Sequence, residues 1–477
     1  MAFWSRCKTH GPQDNRDASR HLVPSLRWWH LVAMGVGAIV GTGIYTLTGI
    51  GAGLAGPGVI LSFIWCGVVC TCAAFCYAEM ATTIPTAGSA YTYTYAVLGE
   101  LLAWIVGWSL ILEYTVAAAA VAVGWSGYVS GFIHAAGWPF PEALVHGAMG
   151  GGVIDLPAVL ITAAIMGLLL AGTRESARVT MVLVAIKLLA LSLFVTLALR
   201  EFHAENFHPF LPYGVGAHVD ADGVKRGVLA AAALIFFAFY GFDAVSTAAE
   251  ETKDPQHDLK IGIIGSMALS TTIYMLVAVT ALGASYYSAF SKSGAPLAFV
   301  LQALHQPIAA QLVSAAAIVA LPSVILVLMY GQSRIFFVMA RDGLLPRALS
   351  LVDPVRGTPA LVTVLTGTVV ALLASTLKLD EIALLANAGT LCAFIAVATC
   401  VLVLRMRPFP ARGLFQVPMA WLTAPLCIVG CGYLFLNGLP RVTQIWFVLW
   451  NGIGLLAYLA YGVRNSLLAS PAPTEKT

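Results

Sequence analysis

Two glycine-containing segments carry residue types that could hold a small charged ligand. In the first, nine of the 24 residues from 35 to 58 are glycine, so a helix there is expected to break, with residues 37–43 (GAIVGTG) as the break. If residues 41–43 begin a new half-helix, its free N–H groups and positive dipole end can face a carboxylate. A carbonyl left by the preceding half, such as that of Ile39, can receive an ammonium group. One break would then supply both poles of a site for a zwitterion.

The second segment, FFAFYGFDAVSTAAEE from residue 236, offers a comparable break at residues 238–241. Its aromatic residues, Phe237 and Tyr240 among them, could instead face lipid or pack in the core. Asp243 follows the break and suits the N-cap of a second half-helix, where a carboxylate favours the dipole. The first break has an alternative too, since Gly37 and Gly41 form a G-x-x-x-G pair that could serve close helix packing.

Two ionisable side chains fall deep within apolar stretches. Lys187 lies roughly 15 Å and Glu113 roughly 24 Å from the start of its stretch, at about 1.5 Å per residue. A charge in the membrane costs at least ~2.5–3.5 kcal/mol, so both are functional candidates. Lys187 is the better candidate for proton coupling, with a side chain reaching toward the membrane surface as its alternative. For Glu113 the alternative is a protonated or paired residue in helix packing.

A charged cluster follows the second break and recurs further along the chain. Glu250 and Glu251 lie close to Lys253, while Arg334, Arg341 and Asp342 end a later apolar stretch. Such residues commonly anchor helices at the membrane surface. The alternative is an inner gate of breakable ion pairs.

The elements that position these residues are membrane helices. Of 477 residues, 59% are hydrophobic and 10% charged, with a mean hydropathy of +0.87, and residues 28–78 contain no Asp, Glu, Lys or Arg. Irregular backbone at membrane depth is tolerated only where protein or a wet cavity satisfies it. Twelve spans are predicted, at residues 28–54, 57–83, 97–131, 154–172, 177–200, 226–250, 260–284, 311–340, 359–377, 381–404, 417–437 and 442–464.

Charge distribution predicts the orientation of these spans. With the N-terminus inside, most of the 25 Lys and Arg residues fall in cytoplasmic segments, although the net charge is only +3. Residues 1–27 precede an apolar run that is too long for a signal peptide, so this segment is expected to stay uncleaved and cytoplasmic. The tail, residues 465–477, is also predicted to be cytoplasmic, and from Ala469 onward it is polar and disordered.

Several classes of function lack their sequence signals. No Gly-Lys pair occurs, so a P-loop is absent and ATP is not the expected energy source. Eight of the nine cysteines lie in predicted spans as small apolar residues, without metal-binding spacing. No nucleophile motif is evident. We therefore predict a protein that is not an enzyme, with no metal or other cofactor, surrounded by membrane lipid and without a nucleic-acid partner.

The two breaks lie about 200 residues apart, each at the start of a five-span half. Residues 28–200 form the first half and residues 226–404 the second, and an odd number of spans makes the second half enter from the opposite side. Inverted repeats of this kind are typical of secondary transporters. Residues 417–464 add two further helices. The predicted fold is thus an all-α membrane protein with a 5+5 inverted repeat, broken helices 1 and 6, and two extra C-terminal helices.

Five ordered segments together resemble the amino acid–polyamine–organocation superfamily, and within it bacterial members of the cationic amino acid transporter family. The resemblance extends from residue 27 to about residue 407. It is carried by PTAGSAYTYTYAVLGELLAWIVGWSLILEY (85–114), GVGAIVGTGIY (35–45), FFAFYGFDAVSTAAEETKDP (236–255), YGQSRIFFVMARDGLLP (330–346) and LANAGTLCAF (385–394).

The resemblance implies a role for each part of the two breaks. The N–H groups of Thr42 and Gly43, beside Gly41, would bind an amino acid carboxylate. Phe237 resembles an aromatic gate above the ligand, and Lys187 resembles a lysine between helices 1, 5 and 8, which argues for sodium independence and proton coupling. The carbonyls expected to bind the ammonium group are those of Ile39, Phe237, Ala238 and Tyr240.

Departures from the family pattern bear on substrate and partners. Leu321 falls at a pocket position, where a bulky apolar side chain leaves little room for an arginine substrate, and Pro322 beside it is unexpected. Mammalian cationic members have fourteen spans against twelve here. Relatives linked by a disulfide to a heavy chain carry a cysteine in the loop after span three. Residues 132–153 contain none, so no such heavy chain is expected.

The resulting hypothesis is a secondary transporter of L-amino acids in a bacterial inner membrane, working by alternating access with proton coupling or exchange. Neutral substrates are favoured, and a transporter or exchanger of arginine and lysine is the alternative. A non-transporting amino acid sensor or a channel is the alternative from another class.

Overall fold

The fold is almost entirely helical, as predicted. The computed structural model describes residues 6–7, 24–135, 141–145, 147–220, 223–291, 293, 295–353, 356–377, 379–407 and 415–468. Most of the predicted segment 1–27 and the predicted disordered tail from Ala469 lie outside these residues. Among those described, nine helical stretches are long and apolar enough to cross a membrane, and two shorter apolar helices accompany them.

The first seven helices, α1 to α7, lie within residues 28–200. The break follows α1, and a π-helical turn, Gly43–Leu47, leads into α2. Together α1, α2 and α3 form one 56-residue apolar stretch that contains the first two predicted spans. The bounds are α1 Trp28–Ile39, α2 Thr48–Ala55, α3 Val59–Thr83, α4 Ser89–Val97, α5 Glu100–Ala135, α6 Leu156–Ala171 and α7 Thr173–Arg200.

A two-stranded antiparallel hairpin, β1 His218–Val219 and β2 Lys225–Arg226, follows α7. The remaining helices are α8 Val228–Phe239, α9 Ala244–Thr247, α10 Pro255–Ala284, α11 Tyr287–Phe290, α12 Pro296–Ala303, α13 Pro307–Ala320, α14 Pro322–Arg341, α15 Ala360–Thr376, α16 Leu379–Met406, α17 Ala420–Tyr433, α18 Arg441–Ala457 and α19 Val463–Asn465.

Two boundaries differ from the predicted spans for local reasons. Span three begins at Glu100, because Gly99 with a φ of +105° separates α5 from the short helix α4. Span eight is one 35-residue apolar stretch in two helices, α13 and α14, because the ring of Pro322 cannot continue the bonding of α13.

Loop contacts define two opposite faces of the helix bundle. At the N-terminal face, Leu26 pairs with Thr252 in an isolated parallel bridge. At the far face, the N–H of Gly227 donates to the carbonyl of Leu54, at 2.9 Å. Helix α5 crosses the centre, and 89% of an 18-residue apolar segment within it is buried. In the stretch that contains α18 the corresponding share is only 22%, so this stretch lies at the periphery.

Candidate binding site at two helix breaks

The first break opens a gap in backbone bonding between α1 and α2. The last bond of α1 runs from the N–H of Val40 to the carbonyl of Val36, at 2.9 Å. Bonding resumes when the N–H groups of Ile44 and Tyr45 donate to the carbonyl of Gly41, at 3.2 and 3.3 Å. Residues 41–43 therefore precede the first bonded turn, as a helix N-terminus does. The helix restarts where the sequence predicted, although as a π-helical turn.

The second break lies two residues later than predicted. Helix α8 continues to Phe239, so Phe237 and Ala238 are helical, and the unwound residues are 240–243. The break occurs there because Gly241 adopts a φ of +112°, which side-chain-bearing residues rarely take. The carbonyls of Phe237 and Ala238 still belong to the last helical turn, which leaves acceptors free of intrahelical bonds.

Asp243 does not act as the predicted N-cap. It occupies the N-cap position of α9, yet its side chain makes no capping bond. Its carboxylate instead accepts from the N–H of Gly241, at 3.2 Å, and from the hydroxyl of Tyr114 on α5. The carboxylate therefore binds the unwound segment and α5 in place of the N-terminus of the four-residue helix α9. In this way Asp243 stabilises the unwound segment and attaches it to α5.

The two breaks contact each other through small residues. A Cβ atom on Gly43 would lie 2.4 Å from the Cα and Cβ of Ala238, and one on Gly241 would lie 2.9 Å from the Cβ of Ala38. Each break therefore places a glycine against an alanine of the other helix. This reciprocal contact brings the N–H groups of the first break beside the last carbonyls of α8.

Tyr274 on α10 joins the breaks and was missed from the sequence. Its buried hydroxyl lies 2.5 Å from the carbonyl of Ile39 and 2.8 Å from that of Ala238, and donates toward both. These are two of the carbonyls predicted to receive an ammonium group. The hydroxyl has one hydrogen, so it satisfies one carbonyl fully at a time. A tyrosine within an apolar helix gives no sequence signal that separates this role from packing.

We expect Tyr274→Phe to destabilise the ligand-free protein by about 1–3 kcal/mol, because two buried carbonyls lose their donor. An added amino acid whose ammonium group binds those carbonyls should stabilise this variant more than it stabilises the unaltered protein. Thermal unfolding in detergent, with and without leucine, measures both effects. If leucine raised the unfolding temperature of both proteins equally, the Tyr274 hydroxyl would not share its carbonyls with the ligand.

Lys187 lies on α7 and points at the first break. Its ammonium group donates to the carbonyls of Gly37, at 3.0 Å, and Val40, at 2.5 Å, and the residue is fully buried. The hydroxyl of Ser323 on α14 also donates to the Gly37 carbonyl, at 3.2 Å. The alternative of a side chain reaching to the membrane surface is therefore wrong. A cation at this position suits the negative end of the α1 dipole.

Glu113 forms a second polar centre beside Asp243. The residue is fully buried, and neither carboxylate oxygen has a hydrogen-bond partner among the described residues. The hydroxyl of Tyr240 is likewise buried without a partner in that part of the chain. An unpartnered buried polar group is costly, so these atoms are suited to a ligand or a proton. The ring of Tyr240 also packs on that of Phe237, with centroids 5.0 Å apart.

Leu321 is fully buried at the joint between α13 and α14. Two residues later Ser323 contacts the first break, and Val324 would lie 2.7 Å from a Cβ on Gly41. This turn therefore packs against the break. Thr42 faces α5, where a Cβ on Gly124 would lie 2.9 Å from its methyl group.

Two ion pairs lie at the N-terminal face, one of them buried and the other partly exposed. Arg334 and Glu251, each 1% exposed, pair at 2.8 Å, and the guanidinium lies 3.8 Å from the centre of the Tyr330 ring. Arg341 donates twice to Glu250, at 2.9 and 2.5 Å. The N–H of Ala87 donates to the same carboxylate, at 3.2 Å. Surface anchoring is therefore the wrong interpretation of Arg334 and Glu251, whose burial fits a gate.

Glu251→Gln is expected to destabilise the protein by roughly 3–5 kcal/mol, because Arg334 would stay buried without its counter-charge. The double variant Glu251→Leu/Arg334→Met removes both charges and should recover most of the loss. Melting temperatures of the three proteins in one detergent test this. A double variant no more stable than Glu251→Gln would contradict a pairing role.

A cavity of about 610 Å³ opens at the far face. It reaches the π-helical turn of the first break at Thr46 and is bounded by Tyr128, whose hydroxyl donates to the Tyr45 carbonyl at 3.1 Å. A Cβ atom on Gly127 or Gly131 would meet no atom within 4 Å. The cavity thus approaches the first break from the far face, opposite the ion pairs.

Comparison with known proteins assigns the chain to a family. A family model described as amino acid permease matches residues 26–458. The chain belongs to the amino acid permease family. This permease is 44% identical over 453 residues to the branched-chain amino acid permease BcaP of Bacillus subtilis (strain 168), covering 94% of this chain and 95% of that protein.

Two further relatives show how wide the family is. A methylthioribose transporter of Bacillus subtilis (strain 168) is 39% identical and covers 94% of this permease and 96% of its own length. The cationic amino acid transporter 2, vacuolar, of Arabidopsis thaliana is 37% identical, covering 80% of this permease but 59% of its own length. The predicted superfamily is thereby confirmed.

Proposed function

We propose that this permease is a secondary active transporter of L-amino acids that works by alternating access and favours neutral substrates. Amino acid transport follows from the family. The observation that carries the mechanism is the reciprocal contact of the two breaks, which sets unbonded N–H groups beside helix-end carbonyls. That arrangement matches the carboxylate and ammonium groups shared by all amino acids.

The proposed site has two poles and an apolar end. Thr42 and Gly43, following Gly41, donate N–H groups to the carboxylate. The carbonyls of Ile39, Phe237, Ala238 and Tyr240 accept from the ammonium group, which displaces the hydroxyl of Tyr274. Phe237 closes over the ligand, and Leu321 limits its side chain.

Neutral substrates are supported by Leu321 and by the relatives. Two of these are branched-chain amino acid permeases, from Bacillus subtilis and, at 30% identity, from Lactococcus lactis subsp. cremoris (strain MG1363). Uptake of labelled leucine, alanine, serine, arginine and lysine into proteoliposomes tests the proposal. We expect saturable leucine uptake with competition by the neutral amino acids. Saturable arginine uptake without neutral competition would reject the neutral substrate class.

The cationic alternative rests on the buried carboxylate of Glu113, which has no hydrogen-bond partner among the residues that the structure describes. If that carboxylate binds a cationic side chain, Glu113→Gln removes the charge while keeping the shape. Arginine uptake should then fall roughly tenfold or more, as expected for loss of a buried charge–charge contact, while leucine uptake persists. Equal loss of both would assign Glu113 to the general mechanism.

Counterflow separates the transporter from the other class of function. Vesicles loaded with unlabelled leucine should accumulate labelled leucine transiently. A sensor would show no flux, and a channel would show no accumulation. Either result would reject alternating access.

The architecture proposed for this function is a 5+5 inverted repeat, residues 28–200 and 226–404, with residues 417–464 as two added helices. We place the N-terminal face in the cytoplasm of a bacterial cell, following the distribution of Lys and Arg. In that orientation the pairs Arg334–Glu251 and Arg341–Glu250 close the cytoplasmic side, and the cavity at Thr46 faces outward. Cysteine substitutions at Gly127 and Lys253, labelled from opposite sides of the membrane, test this orientation.

A further inference from the structure

Five of the nine residues that line a small cavity at the N-terminal face are basic or aromatic. Its volume is about 240 Å³, and it lies between the start of α1, the start of α7 and the segment that follows α9. Neither break reaches it, and the transport mechanism above does not use it. The lining residues are Ser25, Leu26, Arg27, Trp29, His30, Ala177, Arg178, Met181 and Lys253.

The positive charge of this cavity is not neutralised from within. Arg27, Arg178 and Lys253 are exposed, and none of them forms an ion pair with an acidic side chain among the described residues. Asp254, next to Lys253 in the sequence, is exposed and accepts from the N–H of His257 at the start of α10, at 3.3 Å. Glu250 and Glu251 pair with Arg341 and Arg334. Three guanidinium or ammonium groups thus surround a space that contains no acidic lining residue.

Backbone bonds fix the shape of the cavity before any ligand binds. The N–H groups of Ser25 and Leu26 donate to the carbonyl of Glu251, at 2.8 and 2.9 Å, and the N–H of Lys253 donates to Leu26, at 2.9 Å. The first bonds of α1 come from His30 and Leu31 to the carbonyl of Arg27, so the earlier N–H groups lie at a helix N-terminus. The buried hydroxyl of Ser25 has no hydrogen-bond partner in the described part of the chain.

The surroundings indicate a lipid rather than a soluble anion. Trp28 and Trp29 are 44% and 39% exposed at the start of α1, as in an interfacial aromatic belt, and the Arg27 guanidinium lies 5.2 Å from the centre of the Trp29 ring. Only 33% of an 18-residue apolar segment of α7 is buried, and Val182 beside the cavity is 60% exposed. Acyl chains could therefore run along α7 while a head group occupies the cavity.

We propose that this cavity binds the phosphate of an anionic phospholipid of the cytoplasmic leaflet. Basic pockets between membrane helices on that side suit such head groups, with each Lys or Arg adding to the attraction. The proposal depends on the proposed orientation but not on the amino acid substrate. A bound head group would hold α1 against the segment after α9. Because that segment bonds through the Glu251 carbonyl, occupancy favours the state in which the Arg334–Glu251 gate is closed.

The test compares the permease in nanodiscs of phosphatidylcholine with and without phosphatidylglycerol, by thermal unfolding and by native mass spectrometry of retained lipid. Phosphatidylglycerol should raise the melting temperature of the unaltered protein. The variant Arg27→Gln/Arg178→Gln/Lys253→Gln should lose this response, with affinity for the anionic lipid lowered roughly a hundredfold. The matched control Arg347→Gln/Arg407→Gln/Arg464→Gln removes three exposed charges elsewhere and should keep the response.

A charge-conserving variant distinguishes loss of positive charge from a failure of the triple glutamine variant to fold. Arg27→Lys/Arg178→Lys retains the positive charge and should keep the phosphatidylglycerol response. An unchanged response in the triple glutamine variant would overturn the proposal. Stabilisation of the same size by inorganic phosphate in pure phosphatidylcholine would also overturn it, because a free anion would then suffice. No amino acid is added in these measurements, so their failure is distinguishable from failure of transport.

Discussion

Replacing Gly43 by alanine is expected to abolish saturable amino acid uptake. The added Cβ would lie 2.4 Å from the Cα of Ala238, which is backbone that cannot rotate away. Overpacking costs about 1–3 kcal/mol even where side chains can adjust, and here two helices must separate. The N–H groups of the first break would then move away from the carbonyls of α8. We expect substrate affinity to fall more than ~10-fold, measured by leucine-induced thermal stabilisation and by uptake.

Gly167→Ala on α6 is the matched control. It makes the same chemical change in a helix where the new Cβ meets no atom within 4 Å, so uptake should be unaffected. Leucine-induced stabilisation that survives in Gly43→Ala would show that the first break serves packing alone, which is the alternative its G-x-x-x-G spacing left open.

Lys187→Ala is expected to eliminate accumulation driven by a proton gradient. The ammonium group of Lys187 donates to the carbonyl of Gly37 in α1 and to that of Val40, which directly follows α1. If a proton leaves this group during the cycle, the amine keeps two N–H donors but loses the charge that strengthens its hydrogen bonds to these carbonyls. Without the side chain, gradient-driven accumulation should fall by at least ~10-fold, while counterflow of leucine continues. Uptake into proteoliposomes under an imposed pH difference measures the first effect.

Lys187→Arg separates charge from proton exchange. Arginine keeps a cationic donor near the two carbonyls but does not lose its proton in proteins. This variant should therefore fold and bind substrate, yet accumulate no more than Lys187→Ala does. Undiminished gradient-driven uptake in Lys187→Ala would show that Lys187 takes no part in coupling. Its role would then be structural, through its hydrogen bonds to Gly37 and Val40.

The sequence located the first break accurately because glycine density is itself the physical cause of the break. The second was placed two residues early, since the aromatic run before it reads as irregular although its backbone remains helical to Phe239. What ends that helix is the positive φ of Gly241. A turn that depends on one dihedral angle is harder to locate than one that depends on composition.

Side-chain partners were predicted less well than backbone breaks. The position of Lys187 in an apolar stretch showed that it matters, but its contact with Gly37 depends on how α7 packs on α1. Tyr274 and Ser323 gave no signal, because hydroxyl groups within apolar helices commonly bond their own backbone. The burial of Arg334 with Glu251 likewise depends on α14 meeting the segment after α9, which local charge patterns do not reveal.

In the proposed transport cycle, the hydroxyl of Tyr274 bears on the return of the unloaded carrier. In the ligand-free protein it occupies the carbonyls of Ile39 and Ala238, so an unloaded carrier is not left with both acceptors bare. If the unloaded carrier keeps this hydrogen bond while it reorients, the transition state is spared the cost of two bare buried carbonyls. Net uptake requires the unloaded carrier to return across the bilayer, whereas strict exchange does not. The Tyr274 hydroxyl would therefore favour net uptake over strict exchange.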